Sequence, residues 1–493
     1  MIFQINTLFM FRGYSIIIIW ALFAYSCQQK KSGTTPHKSQ LEKKNVVFIL
    51  IDDMGWKDLG CYGSSFYETP NIDRLASKAT LFTSAYSANP VCSPSRAAIL
   101  TGRHPSRVGI TDWIKGHDPQ DRLLLGSEDI HELPHEEVTI AEVLKEKEYK
   151  TFYAGKWHLG DVGFFPEDQG FDVNKGGHHM GHPPGGYYSP YNNPKLTDGH
   201  EGEYLTDRLT DESIQFVEEN RNDPFLLYLA YYTVHTPIEA CQKHIARFEK
   251  KKKNLQDTIV RKKPERRSLT VQNQVDAAYA SMIYSLDENV GRILDKLEEL
   301  ALMENTLIVF TSDNGGLSTT ERNYNPPTSV KPLRAGKGWA YEGGIRVPLI
   351  IKSPGQSTGE KKETPVASMD LFPTILDVLG LNLRPEFHLD GRSLLPVLNG
   401  ATASSEEMLF WDYPHYHSSG WTPGQAIRKG DWKLIYFFEE DTYELYNLRD
   451  DISETNNLAL TNPEKLEELQ EALNDMRVKY KTQSPTRNHN FQH

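Results

Sequence analysis

The sequence predicts an α/β protein with a large, mixed but mostly parallel β-sheet flanked by helices, and a smaller C-terminal domain with an antiparallel sheet and a helix. Three observations predict it. Unbroken apolar runs of strand length indicate strands buried on both faces, helical patterns lie between them, and the C-terminal part shows a hairpin pattern before one amphipathic helix. A chain of 493 residues is also too long to fold around a single hydrophobic core, so at least two domains are expected.

The N-terminal segment has the pattern of an export signal. Arg12 precedes an apolar run over 14–25 that is too short to span a bilayer and ends just before Cys27. A small residue before a cysteine at this point resembles a bacterial lipoprotein cleavage site. We therefore predict a signal peptide over 1–27 and lipidation of Cys27. An ordinary signal peptide or an uncleaved anchor is the alternative, and each of them implies export to the periplasm or cell surface.

The elements of the main domain are predicted in order along the chain. The predicted strands cover 45–51, 151–154, 225–233 and 306–311, and the predicted helices cover 139–147, 201–219 and 276–300. Each strand runs into polar residues. Because ligands of such sheets bind beyond the carboxyl ends of the strands, we expect these polar residues to converge.

Two of those strand ends carry candidate metal ligands. Asp52 and Asp53 follow the first strand, and Asp313 and Asn314 follow the last. A single Asp-Asp after a strand is usually a solvated turn, but a second carboxylate–amide pair favours a shared site. Carboxylate and amide oxygens are hard ligands that suit Ca²⁺ or Mg²⁺ better than zinc. We predict a divalent-cation site.

The C-terminal domain is predicted from its own patterns. Residues 425–438 indicate a hairpin, 443–448 a further strand and 464–480 an amphipathic helix. The predicted boundaries are a polar tether at 28–43, a catalytic domain at 44–385, the C-terminal domain at 386–482, and a disordered tail at 483–493.

The stretch VCSPSRAAILTGR (91–103) contains an unusual lone cysteine. Pro94 favours a helix start, which places Cys92 at the positive end of a helix with Arg96 one turn on. A thiolate nucleophile of low pKa and an inert buried cysteine are both compatible with this position. A phosphatase Cys-x5-Arg loop is not, because residue 98 is alanine. Cys61 and Cys241 either form a disulfide or remain free thiols, and their spacing in the sequence does not decide between the two.

The cysteine motif and a series of further stretches together resemble the formylglycine-dependent sulfatases, of the alkaline-phosphatase-like superfamily. In that family the cysteine of C-x-P-x-R is oxidised to an aldehyde, 3-oxoalanine (formylglycine). The resemblance covers nearly the whole mature chain and is carried, beside the cysteine motif, by DDMGWKDLGCYG (52–63), TPNIDRLA (69–76), GKWHLG (155–160), VHTP (234–237), SDNGG (312–316), GKGWAYEGGIRVP (336–348), MDLFPTILDVLG (369–380), GRSLLPVL (391–398) and ELYNLRDDISETNNLA (444–459).

The resemblance implies a role for each matching residue. Calcium, or alternatively magnesium, is bound by Asp52, Asp53, Asp313, Asn314 and the modified Cys92. The positions that match catalytic and sulfate-binding residues are Arg96, Lys156, His158, His235 and Lys337. The family chemistry uses the hydrated aldehyde as nucleophile, His235 or Lys337 as general acid, and His158 as the base that helps to expel sulfate.

The segments outside these motifs are expected to select the substrate. They are 113–137, 174–198, 317–333 and 411–421, and His178, His179 and Arg334 are candidate substrate contacts. A basic run at 250–253, 261–263 and 266–267 indicates either a solvated surface or a site that attracts a sulfated glycan.

The predicted function is removal of sulfate from a sulfated carbohydrate by an exported enzyme. Its partners are the sulfated glycan and a formylglycine-generating enzyme, and contact with a membrane is through the lipid anchor alone. The net charge of −12 argues against nucleic-acid binding. The alternatives are a phosphomonoesterase or phosphodiesterase of the same superfamily, and a non-catalytic lipoprotein that binds sulfated glycan.

Overall fold

A computed structural model describes residues 43–116, 119–321, 324–401 and 407–491. The predicted signal peptide, Cys27 and all but the last residue of the predicted tether lie outside the described residues. From Lys43 onward the chain forms one compact unit. Within the described ranges, no helix combines the length and apolarity needed to cross a bilayer.

The secondary structure agrees with the predicted elements. In chain order, the strands are β1 (Asn45–Ile51), β2 (Thr80–Tyr86), β3 (Leu124–Leu125), β4 (Lys150–Gly155), β5 (Val173–Lys175), β6 (Phe225–Tyr231), β7 (Lys262–Glu265), β8 (Ser268–Val271), β9 (Thr306–Ser312), β10 (Arg346–Lys352), β11 (Glu360–Lys362), β12 (Val366–Ala367), β13 (Met408–Tyr413), β14 (Gly424–Lys429), β15 (Trp432–Phe437), β16 (Thr442–Asn447) and β17 (Thr486–Arg487). The α-helices are α1 (Pro70–Ala76), α2 (Cys92–Thr101), α3 (Pro105–Val108), α4 (Ile140–Lys145), α5 (Leu205–Glu219), α6 (Ile245–Lys253), α7 (Ala277–Glu299), α8 (Glu342–Ile345), α9 (Leu371–Val378), α10 (Leu395–Leu398) and α11 (Pro463–Tyr480).

The large sheet has the strand order β11-β2-β10-β9-β1-β6-β4-β5, with β12 also paired to β2. Strand β1 lies between β6 and β9 and is parallel to both, while β10 runs antiparallel to β9 and β2. This sheet is mixed and mostly parallel, which confirms the predicted fold class. The parallel pairing brings the carboxyl ends of β1, β4, β6 and β9 to one edge.

The core lies on both faces of this sheet because its central strand is apolar throughout. Alternate β1 residues Val47, Ile49 and Ile51 pack into the core under α5 and α7, and their neighbours Val46, Phe48 and Leu50 pack into the core under α2, α4 and α9. A strand buried on both faces needs no polar alternation, which explains the unbroken run in the sequence.

The C-terminal sheet is antiparallel, in the order β13-β14-β15-β16. The predicted hairpin is β14–β15, and α11 packs Leu469 and Leu473 onto one face of the sheet. The other face packs Trp411 and Phe437 against Tyr86 and Trp339 of the preceding chain. The second sheet therefore shares a core with the first.

Buried charges also join the two sheets. Lys433 Nζ lies 3.0 Å from Glu342 Oε1 and 2.8 Å from Glu454 Oε1. Glu342 Oε2 accepts from Arg346 Nη1 at 3.1 Å and from Tyr86 Oη at 2.7 Å. Burial tends to raise the pKa of Glu342, but Lys433 and Arg346 outweigh it and lower that pKa to about 2. Glu342 is therefore a buried anion held by cations.

The predicted disordered tail is wrong for residues up to Phe491. Strand β17 pairs with β3, and the buried Asn488 side chain donates to the carbonyls of Gln120 and Arg122. The open edge of β3 supplies the partners that sequence polarity alone did not reveal. Cys61 and Cys241 are free thiols, which resolves the open choice between pairing and staying free.

Candidate active site

The polar residues after β1 and β9 meet at the edge of the sheet. Asp53 N donates to Asp313 Oδ1 at 3.1 Å, and Asn314 Nδ2 donates to Asp53 Oδ1 at 2.8 Å. The chain after Asn314 passes close to other backbone, since a Cβ on Gly315 would lie 2.0 Å from the Gly343 carbonyl oxygen. Glycine is required there so that the chain after β9 can approach the backbone of α8.

Helix α2 brings Cys92 to the same place. The helix begins at Cys92 and all of its residues are buried, with Cys92 only 2% exposed. One ligand atom each of Asp52, Asp53, Cys92 and His235 lies within 4.8 Å of the others. The strand ends and the helix start thus form one cluster, as the sequence predicts.

Three cations surround the three carboxylates of this cluster. Arg96 Nε donates to Asp313 Oδ2 at 2.8 Å, one helical turn beyond Cys92. Lys156, which follows β4, lies 2.8 Å from Asp52 Oδ2, and Lys337 Nζ donates to Asp53 Oδ2 at 2.8 Å. With all three carboxylates ionised, the formal charges of the three cations and the three carboxylates balance, and an added divalent cation would make the site attractive to an anion.

The pKa values of the thiol and of the carboxyl groups in this cluster depend on burial and on these cations. Burial raises the pKa of the Cys92 thiol to about 11, although Lys156 and Lys337 oppose the change. This is the opposite of an activated thiolate. Burial also raises the pKa of Asp52 to about 8 against the effect of Lys156, whereas Lys337 and His235 outweigh burial at Asp53 and lower its pKa.

The two site histidines are oriented by backbone carbonyls. His158 Nε2 bonds to the Ile114 carbonyl, and His158 adopts a φ of +60°, a conformation that is strained for a residue other than glycine. A carbonyl only accepts, so Nε2 carries the proton and the buried Nδ1, which has no hydrogen-bond partner among the described residues, is the basic atom. Burial lowers the pKa of His158, which keeps its ring neutral.

His235 has the opposite tautomer. Its Nδ1 lies 2.8 Å from the Thr236 carbonyl oxygen, so Nδ1 carries the proton, and its Nε2 lies 3.5 Å from Asp53 Oδ2. Burial and Lys337 lower the pKa of His235 despite Asp53. The unprotonated Nε2 therefore faces the carboxylate cluster.

The cluster fits a hard cation. Asn314 Oδ1 is buried and has no hydrogen-bond partner among the described residues, as expected of an atom that binds a metal. The donor set of carboxylates and one amide oxygen is the one that Ca²⁺ and Mg²⁺ prefer.

The cluster lies at the bottom of a cleft of about 810 Å³. Cys92, His158, His235 and Lys337 line its floor. All four segments expected to select the substrate contribute to its walls, through Trp113, Ile114, Lys115, His131, Glu132, His179, Met180, Gly181, His182, Leu317, Thr319, Glu321, Tyr324, Asn325, Pro326, Pro327 and His417. The cleft is large enough for several sugar rings.

The three candidate substrate contacts lie in different places. His179 lines the cleft, with Nδ1 3.6 Å from Asp161 Oδ1. His178 is fully buried behind the wall, and its carbonyl accepts from His158 N at 3.2 Å. Arg334 points away from the cleft, because its Nη2 lies 2.7 Å from Glu265 Oε1 and its guanidinium stacks on Tyr341. His178 and Arg334 are thus structural neighbours of the site.

Sequence reasoning missed two contacts that orient His158. One is the Ile114 carbonyl, and the other is Gly181, where a Cβ would lie 2.4 Å from His158 Cε1. A backbone carbonyl has no signature in a sequence. The glycine stands in the HHMGHPPGG stretch, whose glycines were visible but whose packing partner was not.

Comparison with known proteins identifies the family. A family model described as sulfatase matches residues 44–381, and the C-terminal model of N-sulphoglucosamine sulphohydrolase matches residues 335–483. The chain belongs to the sulfatase family. The sulfatase is 31% identical to a sulfatase of Formosa agariphila, over 86% of each chain, and 32% identical to the N-acetylgalactosamine-6-sulfatase of Canis lupus familiaris, over 81% of this chain and 73% of the relative.

Solved structures agree with this membership. The sulfatase superposes on the crystal structure of Ps i-CgsB in complex with k-i-k-neocarrahexaose with a TM-score of 0.70 and 30% identity, over 89% of this chain and 92% of that one. The phosphonate monoester hydrolase of Agrobacterium radiobacter shares the fold, with a TM-score of 0.64 and 20% identity over 89% and 96% of the two chains. This sulfatase is an enzyme of the alkaline-phosphatase-like superfamily that hydrolyses sulfate esters.

Proposed function

We propose that this sulfatase removes sulfate from a sulfated carbohydrate, using a formylglycine made from Cys92 and a bound calcium ion, for which magnesium is the alternative. The observation that carries the proposal is the position of Cys92. It stands buried at the start of α2, with its sulfur within 4.8 Å of the ligand atoms of Asp52 and Asp53. Burial raises the pKa of the Cys92 thiol and keeps it protonated. A different group at this position therefore has to attack the sulfur atom of the sulfate.

Asp52, Asp53, Asp313 and Asn314 would hold the cation. It would lower the pKa of a bound hydroxyl and polarise a sulfate oxygen. Arg96 holds Asp313 in place with Nε at 2.8 Å from Oδ2, and the Asn314 side chain is held by its bond to Asp53, which leaves Oδ1 for the ion. These contacts fix the ligand oxygens before the ion arrives.

Lys156 and Lys337 bind the sulfate group. Each is tied to a carboxylate on one side, and Lys337 also lines the floor of the cleft. Negative charge spreads over the sulfate oxygens as the ester bond breaks, and fixed cations in a dry site stabilise it. Removing one such donor costs about 3 kcal/mol of transition-state stabilisation.

The proton transfers are assigned to three residues. Lys337, which lines the cleft beside Cys92 as an ammonium group, donates a proton to the departing alcohol. His235 is the alternative donor only after its Nε2, which is unprotonated in the free site, has taken up a proton. His158 accepts a proton through Nδ1, the ring atom that has no partner among the described residues. Its orientation is fixed by the Ile114 carbonyl on the opposite ring nitrogen.

The aldehyde would supply, in its hydrated form, an oxygen nucleophile together with a second hydroxyl for the release of sulfate. A thiol offers no such second group, which is the chemical reason for converting Cys92. The conversion requires a formylglycine-generating enzyme as a partner of this chain.

The carbohydrate part of the proposal rests on the cleft and on the relatives. N-acetylgalactosamine-6-sulfatases and a structure holding k-i-k-neocarrahexaose are among the similar proteins. The cleft volume of about 810 Å³ and its mixture of histidines and aromatic side chains suit a sugar. We further propose that the protein is exported and anchored through a lipid on Cys27, which places it where extracellular glycans are encountered.

Peptide mass spectrometry tests the proposal. Protein from the native host is digested, and the fragment containing Cys92 is expected to show the mass loss of replacing CH₂–SH by CHO. The Cys92→Ala variant is expected to lose aryl sulfate hydrolysis while its thermal unfolding stays unchanged, and Cys241→Ala serves as the matched control. An unmodified thiol in active protein, or full activity of Cys92→Ala, would refute the mechanism.

A further inference from the structure

The basic run of residues 250–267 is divided by the fold into three parts. The lysines of α6 lie on a helix that packs on Phe66 and Tyr284, neither of which lines the cleft. Arg266 and Arg267 are paired with Glu440 and Glu439 of the C-terminal domain, with nitrogen–oxygen distances of 2.8 Å. The remaining part, Lys262 and Lys263, lies on β7.

The β7–β8 hairpin forms the outer side of the cleft wall. Thr270 of β8 makes a β-bridge with Thr319, and Thr320 N donates to the Leu269 carbonyl at 2.8 Å. Lys262 Nζ donates to Asn325 Oδ1 at 2.8 Å. Thr319 and Asn325 both line the cleft, so the hairpin continues the wall outward from the reacting centre.

The hairpin is held in a fixed position. Glu265 at the end of β7 is 5% exposed and is bound by Arg334, whose Nη1 donates to the Glu454 carbonyl at 2.8 Å. Arg266, next in the chain, stacks on Phe437 at 3.8 Å. Because the hairpin is anchored at its turn, the ammonium groups of β7 are carried on a rigid element.

Lys262 presents positive charge at the cleft wall, whereas Lys263 lies on the opposite face of β7 with Glu265, because successive strand residues alternate between faces. Both lysines are exposed, and within the described ranges neither has an ion-pair partner. Tyr324 lines the cleft and is 50% exposed. Lys262 bonds to Asn325, the residue after Tyr324, so the ring offers stacking to a sugar face and Lys262 offers charge to its sulfate.

We propose that Lys262 and Tyr324 form a second binding surface that holds an anionic part of the same glycan, away from the sulfate that is removed. The substrate is then an oligosaccharide or polysaccharide carrying more than one anionic group, and affinity rises with chain length. This inference rests on the proposed function for the identity of the glycan, and binding tests it separately from hydrolysis.

The experiment measures binding of sulfated carrageenan oligosaccharides of two and six sugar units by calorimetry. It uses the Cys92→Ala protein, which does not turn the ligand over. The hexasaccharide is expected to bind more tightly than the disaccharide at 50 mM salt. Lys262→Ala is expected to weaken hexasaccharide binding about threefold, with a smaller effect at high salt, and to leave disaccharide binding unchanged.

Lys263→Ala is the matched control, since it removes the same charge from the opposite face of β7. An equal loss in the control, an equal loss for both ligand lengths, or no binding of the hexasaccharide would overturn the inference. Hydrolysis of 4-nitrophenyl sulfate by the lysine variants with Cys92 intact is expected to stay within twofold of wild type. If wild type hydrolyses no sulfate ester but Lys262→Ala still weakens hexasaccharide binding, the proposed function fails and the second surface stands.

Discussion

Asp313 joins the charged and the hydrogen-bonded halves of the site. Its Oδ2 accepts from Arg96 Nε at 2.8 Å, and its Oδ1 accepts from Asp53 N at 3.1 Å. A change at this one residue therefore acts on the proposed cation, on Arg96 and on the conformation of Asp53, which has a φ of +59°. Strain of this kind persists only where neighbouring contacts hold it.

Asp313→Ala is expected to lose the bound metal and to lower kcat for an aryl sulfate by at least about 100-fold, because it removes a ligand and leaves the Arg96 charge unbalanced. Metal content by mass spectrometry and steady-state kinetics check this. Asp58→Asn is the control. Asp58 is equally buried but bonds to Tyr279 and Thr328, so this variant is expected to keep its metal. An active, metal-free Asp313→Ala protein would contradict the ligand assignment.

At the residue scale, the sequence predicted which groups meet but not how they are oriented. Asp52, Asp313 and Cys92 were predictable because strand ends and helix starts have local signals. The protonated ring atom of His158 was not, since it depends on a carbonyl at Ile114 that only the tertiary fold brings near. Arg334 was misassigned because an arginine that binds a sulfate and one that binds Glu265 look alike in a sequence.

Helix α3 connects the main sheet to the C-terminal domain through a buried histidine. His104 caps the helix, stacks on Tyr480 at 4.1 Å, and its Nε2 lies 3.2 Å from the Phe410 carbonyl oxygen. Burial lowers the pKa of His104 from 6.5 to about 4, although Asp390 opposes the shift. Between about pH 4 and pH 6.5, the His104 side chain therefore binds a proton more readily in the unfolded chain than in the folded one.

Because the pKa is depressed in the folded state, the stability from His104 is complete above about pH 6.5 and is lost as the pH falls towards 4. Between pH 7 and pH 5 the loss is about 2 kcal/mol of unfolding free energy. His104→Asn keeps a capping acceptor but cannot titrate, so urea unfolding at the two pH values is expected to show a difference smaller by that amount. An unchanged difference would show that His104 is not the titrating group.

The charge network between α8 and the C-terminal sheet predicts a large stability effect. Glu342→Ala leaves Lys433 and Arg346 buried with fewer partners, and the expected loss is about 3–5 kcal/mol of unfolding free energy. Asp295→Ala removes an exposed partner of Arg74 instead and is expected to cost less than about 1 kcal/mol. Urea unfolding of both variants checks the prediction; equal losses would argue against it.

At the element scale, the long apolar strands and amphipathic helices were predictable to within a few residues. The predicted run 306–311 became β9, Thr306–Ser312, and the predicted helix 276–300 became α7, Ala277–Glu299. Short pairings were not predictable. The two-residue strands β3 and β17 form because distant parts of the chain meet. Strand β3 lies in a run of three leucines that is too short to indicate a strand, and β17 is polar.

One of the hydrophobic cores of the molecule crosses the predicted domain boundary near residue 385. Tyr86 and Trp339 on one side pack with Trp411 and Phe437 on the other, and Glu342 is neutralised across the same boundary. Two sheets that share an apolar core and a buried charge network stabilise each other.

A fragment of residues 43–385 is therefore expected not to fold. It would expose the apolar surface around Trp339 and leave Glu342 without Lys433. Circular dichroism and thermal unfolding of the purified fragment check this, with the 43–493 chain as the control. Cooperative unfolding of the fragment at the melting temperature of the control would show that the C-terminal sheet is dispensable.

The central position of β1 sets the order in which the molecule can assemble during synthesis. Val46 pairs with Leu226 of β6 and Asn45 pairs with Thr306 of β9, so both partner strands of β1 are synthesised much later than β1 itself. Until β9 and β10 emerge, α2 has no completed sheet to pack on, so the Cys92 side chain, which is 2% exposed in the folded protein, is more accessible in the nascent chain. The topology thus leaves Cys92 accessible in the nascent chain and buried in the folded protein.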